Sequence, residues 1–249
     1  GNVGSFSIVG TEETVSLDQL TFEGQQQPTK YGLVVGDLAV ELTGLSVAAG
    51  GINSGSVETM SISARSELDG EEFNAVATVS SVVRSVPDIG EVELDVVFNM
   101  AGADAAALGR VQQALESAGA NPDPTSAFGQ VERDVQLLFA SGFTFNFERL
   151  NITLPSGTVA ASMLFEFAEE DPATFDWSTL LLSTNASIDL SIPDPVVQML
   201  VQTEPNMAMA IGGGYLVKRG DVYELEAQLR KGLLTVNGAP IPIPLGQIR

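Results

Sequence analysis

The chain has 249 residues, no Cys, no His, and 11 basic against 32 acidic side chains, a formal net charge of −21. Those counts exclude disulfides, thiol and imidazole catalysis, Ser/His/Asp triads and nearly every zinc, copper or haem site. The charge opposes both nucleic acid and an anionic membrane surface as partners.

A content of 44% hydrophobic and 17% charged residues is that of a chain that folds, and the length suffices to bury roughly 70% of the unfolded surface. No apolar run approaches the roughly 18 to 20 residues of a membrane-spanning helix, so the chain as given is expected to be soluble. It starts at Gly1, without Met, and runs straight into the strand-like residues 5–9, which reads as a piece of a longer precursor with any targeting segment upstream. Only Lys30, Lys218 and Lys231 are lysines. Scarce Lys beside abundant carboxylates is open to two readings, adaptation to high salt or an ordinary acidic surface.

Residues 1–100 read as strand after strand, with apolar alternation over 57–63, 73–83 and 91–100 and Gly, Asn or Asp at the breaks. One spacing recurs: Val15, Leu17, Leu20, Phe22; Val40, Leu42, Leu45, Val47; and Phe145, Phe147, Leu150, Ile152. Strict alternation would put the second pair of each set on the opposite face. Either a bulge near Asp18-Gln19, Thr43-Gly44 and Glu148-Arg149 returns all four side chains to one face of a long curved strand, or each set is two short strands with a kink between them.

From residue 101 the period changes. Asp104 is placed to cap a helix carrying Ala107, Leu108, Val111 and Leu115 and ending at Gly119, before the turn Asn121-Pro122-Asp123-Pro124. A second helix from Ser126 carries Phe128, Val131, Val135, Leu138 and Phe139 and stops at Gly142, so the two make a helical hairpin. Strands are expected over 143–154 and 158–167 about Pro155-Ser156-Gly157, then a short helix over 175–182, a strand over 186–192, and a helix over 195–202 begun by Asp194-Pro195. A further turn at 207–211 precedes three strands, 215–219, 222–230 and 233–236, divided by Gly220-Asp221, Lys231-Gly232 and Asn237-Gly238. The close, Pro240-Ile241-Pro242-Ile243-Pro244, cannot sit inside a sheet.

Candidate chemistry is sparse. Thirty-two acids supply many carboxylate pairs and no spacing that singles one out as catalytic. Glu169-Glu170-Asp171 lacks the ligand ladder of a Ca²⁺ loop and suits a hairpin exit, and Gly212-Gly213-Gly214 lacks the Lys-Ser/Thr of a phosphate loop. No catalytic residue, metal ligand or cofactor is therefore assigned. Arg219-Gly220-Asp221 reads as a tight turn. Lys218-Arg219 and Arg230-Lys231 fall at opposite ends of one strand. Asn151 and Asn185 head sequons whose Thr153 and Ser187 lie in expected strands. Trp177 and the methionines Met199, Met207 and Met209 could line an acyl-chain groove, although gap filling in a core is the commoner use of Met.

Val92-x-Leu94-x-Val96, the Ala103-Asp104-Ala105 helix start, Leu137-Leu138, the run from Phe145 through Leu154 to Gly157, and the ending Gly214-Tyr215-Leu216-Val217, Tyr223-x-Leu225-x-Ala227, Gly232 to Gly238 together resemble the C-terminal part of the YdgA-like family of bacterial envelope proteins of unknown function. More remotely, the repeated apolar sets resemble AsmA-like envelope proteins, whose curved sheets are thought to hold lipid. The resemblance implies a periplasmic protein, anchored in the inner membrane at full length.

The reading is a single domain over 1–249, all strand over 1–100 and mixed over 101–249. Its fold class is α+β, a predominantly antiparallel curved sheet with three to four helices packed on one face. The expected role is a non-catalytic module for a lipid or an envelope partner, with an apolar groove bordered by Phe145, Phe147, Met199 and Leu200. The alternatives are a hydrolase using carboxylates alone, which needs two buried acids on a common cleft, and a purely structural scaffold.

Overall fold

The structure, a computed structural model, describes residues 1–9, 13–49, 52–86, 90–119 and 124–242. The expected turn at Asn121-Pro122-Asp123 and the tail from Ile243 lie outside them, as do the side chains of Phe128 and Val131. Strand accounts for 61% of the chain and helix for 21%, and fifteen strands among the described residues join one antiparallel sheet.

This overturns the expected α+β layering. The fold is β-rich, and its helices do not form a layer of three or four across one face. The helices over 105–119 and 124–140 lie against each other, and their described apolar side chains meet strand ends, Ala105 and Leu108 on Leu33 and Phe73, and Phe139 on Phe143 and Phe167.

The first edge is formed by β1 (Asn2–Val3) and β2 (Phe6–Val9), which pair with β4 (Gln19–Pro28) and β3 (Glu13–Leu17). Both β3 and β4 lie against the long β5 (Val34–Ala49), and β6 (Ile52–Asp69), β7 (Glu72–Val86) and β8 (Gly90–Asp104) continue as a meander. Helices α1 (Ala105–Gly119) and α2 (Pro124–Ala140) intervene before β9 (Thr144–Leu154), which pairs with β8 and with β10 (Gly157–Phe167). Next come α3 (Trp177–Ser183), β11 (Thr184–Pro193), α4 (Asp194–Thr203) and α5 (Pro205–Gly212). The sheet closes with β12 (Val217–Arg219), β13 (Val222–Arg230), β14 (Leu233–Val236) and β15 (Ala239–Ile241), β13 lying between β11 on one side and β12 and β14 on the other.

The bulges are present, and they act as the repeated spacing requires. In β9 the register slips by one between Val97↔Arg149 and Phe98↔Phe147, and the partner β10 slips between Ala161 and Met163. Glu148 is thus the extra residue, and Phe145, Phe147, Leu150 and Ile152 share one face. The first two sets are irregular together. The chain bends at Asp18, between β3 and β4, while Gly44 in β5 adopts φ 67°, a left-handed conformation that favours glycine. Because the two irregularities face each other, Ser16↔Ser46 and Gln19↔Thr43 stay in one register. The offset appears further on, at Glu58, where β6 slips against β7.

Local chemistry explains the element ends. The Asp104 carboxylate accepts a hydrogen bond from the Ala107 amide at 2.6 Å, the capping expected of it. Lys231-Gly232 and Asn237-Gly238 have φ of 51°, 77°, 49° and 78°, the paired positive values of two-residue type I′ hairpins.

Buried apolar residues gather where helices touch strand ends. Ala105 of α1 packs with Leu33 and Phe73, and Ala107 with Ala103 and Leu138 of α2. Trp177 of α3 stacks edge-on against Phe139. At the other end of the strands, Val196 and Val197 of α4 pack with Ile192 and Leu216, against Leu154 and Val159.

Candidate functional site: an uncharged face across the sheet

Strand register places side chains in transverse rows, because paired residues of antiparallel strands point to the same side. One row reads Phe22, Val40, Ile62, Val79, Val96, Leu150, Ala161, Leu190, Leu225. The next begins at Gly24 and Leu38 and crosses Phe98, Phe147, Met163 and Ile188 to Val236 and Ala239. A third passes through Met100, Phe145, Phe165 and Ala186 to Ile241. None of the three contains an Asp, Glu, Lys or Arg. At about 4.8 Å between strands, the row of nine spans roughly 38 Å.

The opposite face holds the charge. Glu23, Asp37, Arg65, Asp95, Arg149, Asp189 and Glu226 all fall on it, one residue out of phase with the apolar rows. Arg149 pairs with Asp95 at 2.7 Å, and Arg219 with Glu224 at 3.3 Å. That face has an open cleft of about 540 Å³ between Glu148, Asn151, Asp189 and Glu226. Asp189 and Glu226 are partners across β11 and β13, and both are exposed. Among the described residues the one buried polar side chain is that of Thr184, so the two buried acids that a carboxylate hydrolase needs are not found there.

Helices meet the apolar face at its two margins. Along β9, α2 and α3 cover the Phe143 end through Phe139 and Trp177, and α4 covers the Leu154 end. Phe147, Leu150 and Ile152 lie between, in a gap of roughly 30 Å from Phe143 to Leu154. Val79, Val96, Phe98, Leu150, Met163, Ile188 and Leu190 are each only half-buried. The whole chain exposes 15122 Å², against the roughly 10,600 Å² of a compact monomer of its mass.

The four candidate lining residues occupy different parts of this surface. Phe145 and Phe147 sit in the open face, stacked with each other and with Phe98 at ring separations of 4.9–5.3 Å. Leu200 packs into the α4 cluster with Ile192 and Val197. Met199, beside it, points to solvent at 44% exposure. Met207 joins the α4 cluster, whereas Met209 is exposed. The residues that complete the face, Phe98, Met163 and Ile188, were marked in the sequence only as members of alternating strands. Register, which sets who stands beside whom, carries no local signal. Asp171 of the acidic turn is engaged in its own loop, accepting from the Ala173 amide at 2.9 Å, and among the described residues no group of three or more acidic side chains is placed to hold a metal ion.

The sequence model of a family described as a bacterial protein of unknown function (DUF945) matches residues 1–244. No curated protein and no solved structure matches the chain.

Proposed function

We propose that this chain, which belongs to the bacterial family of unknown function DUF945, is a binding module that seats an elongated apolar ligand, a lipid acyl chain, across the uncharged face of its sheet. The observation that carries the reading is the uninterrupted apolar row over nine strands, its central residues incompletely buried. An apolar surface of that extent is costly to leave in water, at about 25 cal/mol per Å². A ligand lying along the rows meets no charge, which is the condition for burying hydrocarbon without desolvating an ion. Phe145 and Phe147 form the floor, and Leu200 and Met199 stand at the α4 margin. The resemblance to YdgA-like and AsmA-like proteins supports placing this activity in the bacterial envelope, outside the cytoplasm.

The test is uptake of a fluorescent fatty acid, with mass spectrometry of solvent extracts from purified protein. The unmodified chain is expected to take up the probe. Phe147→Glu, which sets a carboxylate in the centre of the face, is expected to lower uptake at least tenfold. Asp95→Asn, on the opposite face, should leave uptake unchanged. A folded protein that carries no lipid and binds no probe, or a Phe147→Glu variant that binds as well as its parent, overturns the proposal.

A further inference from the structure

Two neighbouring rows of the uncharged face are free of polar side chains altogether. The row from Phe22 to Leu225 crosses nine strands. The next, from Gly24 and Leu38 through Ala64, Ala77 and Phe98 to Ala239, crosses eleven. No residue of either row carries a hydroxyl, carboxamide or charged group, and the backbone groups of the inner strands are taken up by ladders on both sides. At about 4.8 Å per strand the longer row spans roughly 48 Å, and the two rows lie roughly 6.6 Å apart. Leu38, Phe98, Met163 and Ile188, spread along the longer row, are all incompletely buried.

Resting on the binding role proposed above, we infer that the face seats a load of several acyl chains, at least four per molecule with two end to end along each row, and not a single fatty acid. Two acyl chains end to end span the roughly 30 Å hydrocarbon core of a bilayer, so one covers about 15 Å as packed there, and sixteen carbons fully extended cover about 20 Å. A row of roughly 38 or 48 Å therefore takes two. The rows stand further apart than the about 4 Å contact distance between carbons, so chains on both lie side by side without overlap. A single chain would leave most of both rows in water. The chemistry of the rows selects hydrocarbon over a protein surface. A protein partner exchanges about one hydrogen bond per 100–200 Å² of interface and finds no side-chain donor or acceptor in these rows, whereas methylene groups require none. Either several two-chain lipids or one lipid of four or more chains supplies that number.

Equilibrium dialysis of the full chain against radiolabelled palmitic acid, kept below its micelle concentration, counts the chains. At saturation the unmodified protein is expected to hold at least four. Mass spectrometry of solvent extracts then separates the sources: at least two molecules of a two-chain lipid per protein, or one molecule of a lipid with four or more chains. Leu38 and Ile188 stand six strands apart on the longer row, roughly 29 Å, too far for one chain to touch both. Leu38→Glu and Ile188→Glu should therefore each remove at least one chain and leave at least two bound, with circular dichroism unchanged, and the double variant should remove more than either. A parent that saturates at fewer than four chains, a count that needs no variant to fold, overturns the inference and leaves the proposed binding role standing. So does a single variant that empties the face, or a pair of variants that both keep the full count. A parent that binds no chain at all overturns both.

Discussion

Single residues decide how this sheet keeps one face free of charge. Glu148 is bulged out of β9 as a surplus residue, and were it held in regular register Phe145 and Phe147 would point with Arg149 and Asn151 toward the polar side. At the α4 margin the decisive pair is ionic. The Lys218 ammonium donates to the Asp194 carboxylate, and this hydrogen bond, aided by one from Gln198, holds the Asp194 carboxyl below the ordinary aspartate value against the opposing effect of desolvation. A depressed carboxyl contributes stability that is present above its unfolded-state value and lost as pH falls through the folded one. The contribution of this pair should therefore vanish on acidification below about pH 4, and no change is expected between pH 5 and 8. Lys218 is raised by the same bond, so its share persists until pH rises above the ordinary lysine range. Carbon-detected titration of Asp194 should show a midpoint below that of other surface aspartates. In Lys218→Met the midpoint should move up toward the ordinary value, and an unmoved midpoint would show that the bond does not form.

Helix α1 shows how an element is held by one small residue. A Cβ built on Gly109 would lie 2.1 Å from the Tyr31 carbonyl oxygen, so the helix crosses the chain ahead of β5 at backbone contact. In an exposed helix, replacing glycine by alanine stabilises by about 1 kcal/mol; here the helix must move off Tyr31, opening the packing of Ala105 and Leu108 on Phe73 and Leu33. Gly109→Ala is expected to destabilise by about 2–4 kcal/mol in urea unfolding, with exposed Gln112→Ala within about 0.5 kcal/mol of the parent. A stabilised Gly109→Ala would show that α1 does not lie this close.

Elements like α1 were legible because their ends carry chemistry: Asp104 at the cap, and Lys231-Gly232 and Asn237-Gly238 between strands that run over the residues expected of them. The bulges were legible because three sets repeat one spacing. The layering was not. A helical stripe shows that a helix buries one side without naming what covers it, and α1 and α2 divide theirs between each other and the ends of strands. The open face was half legible for the same reason. Alternation in β8 and β10 marks Phe98 and Met163 as facing one way, but that they stand beside Phe147 follows from register, a property of pairs of strands separated in the chain by a helical hairpin and a turn.

At the scale of the molecule, a sheet that puts its hydrocarbon on one side crowds its acids onto the other. Asp69 stands opposite Glu72 and Glu72 opposite Asp104, while Asp189 stands opposite Glu226, and like charges directly across a ladder are destabilising. Ion pairs such as Arg149–Asp95 relieve part of the repulsion, but 11 basic residues cannot neutralise 32 acids. Folding therefore concentrates a net charge of −21 that the unfolded chain spreads over a larger volume. Screening lengths fall from about 30 Å at 0.01 M salt to about 3 Å at 1 M, so added salt should relieve the folded state more than the unfolded one. The melting temperature is expected to rise by several degrees from dilute buffer to molar NaCl. Salt can also strengthen apolar burial, and charge variants separate the two effects. If repulsion dominates, Asp189→Asn should raise the melting temperature in dilute buffer and shrink the response to NaCl. If burial dominates, the variant should respond to salt as its parent does. A melting temperature flat from dilute buffer to molar NaCl would mean that the acids on this face are spaced widely enough for water alone to screen them, and would favour the ordinary acidic surface over adaptation to salt.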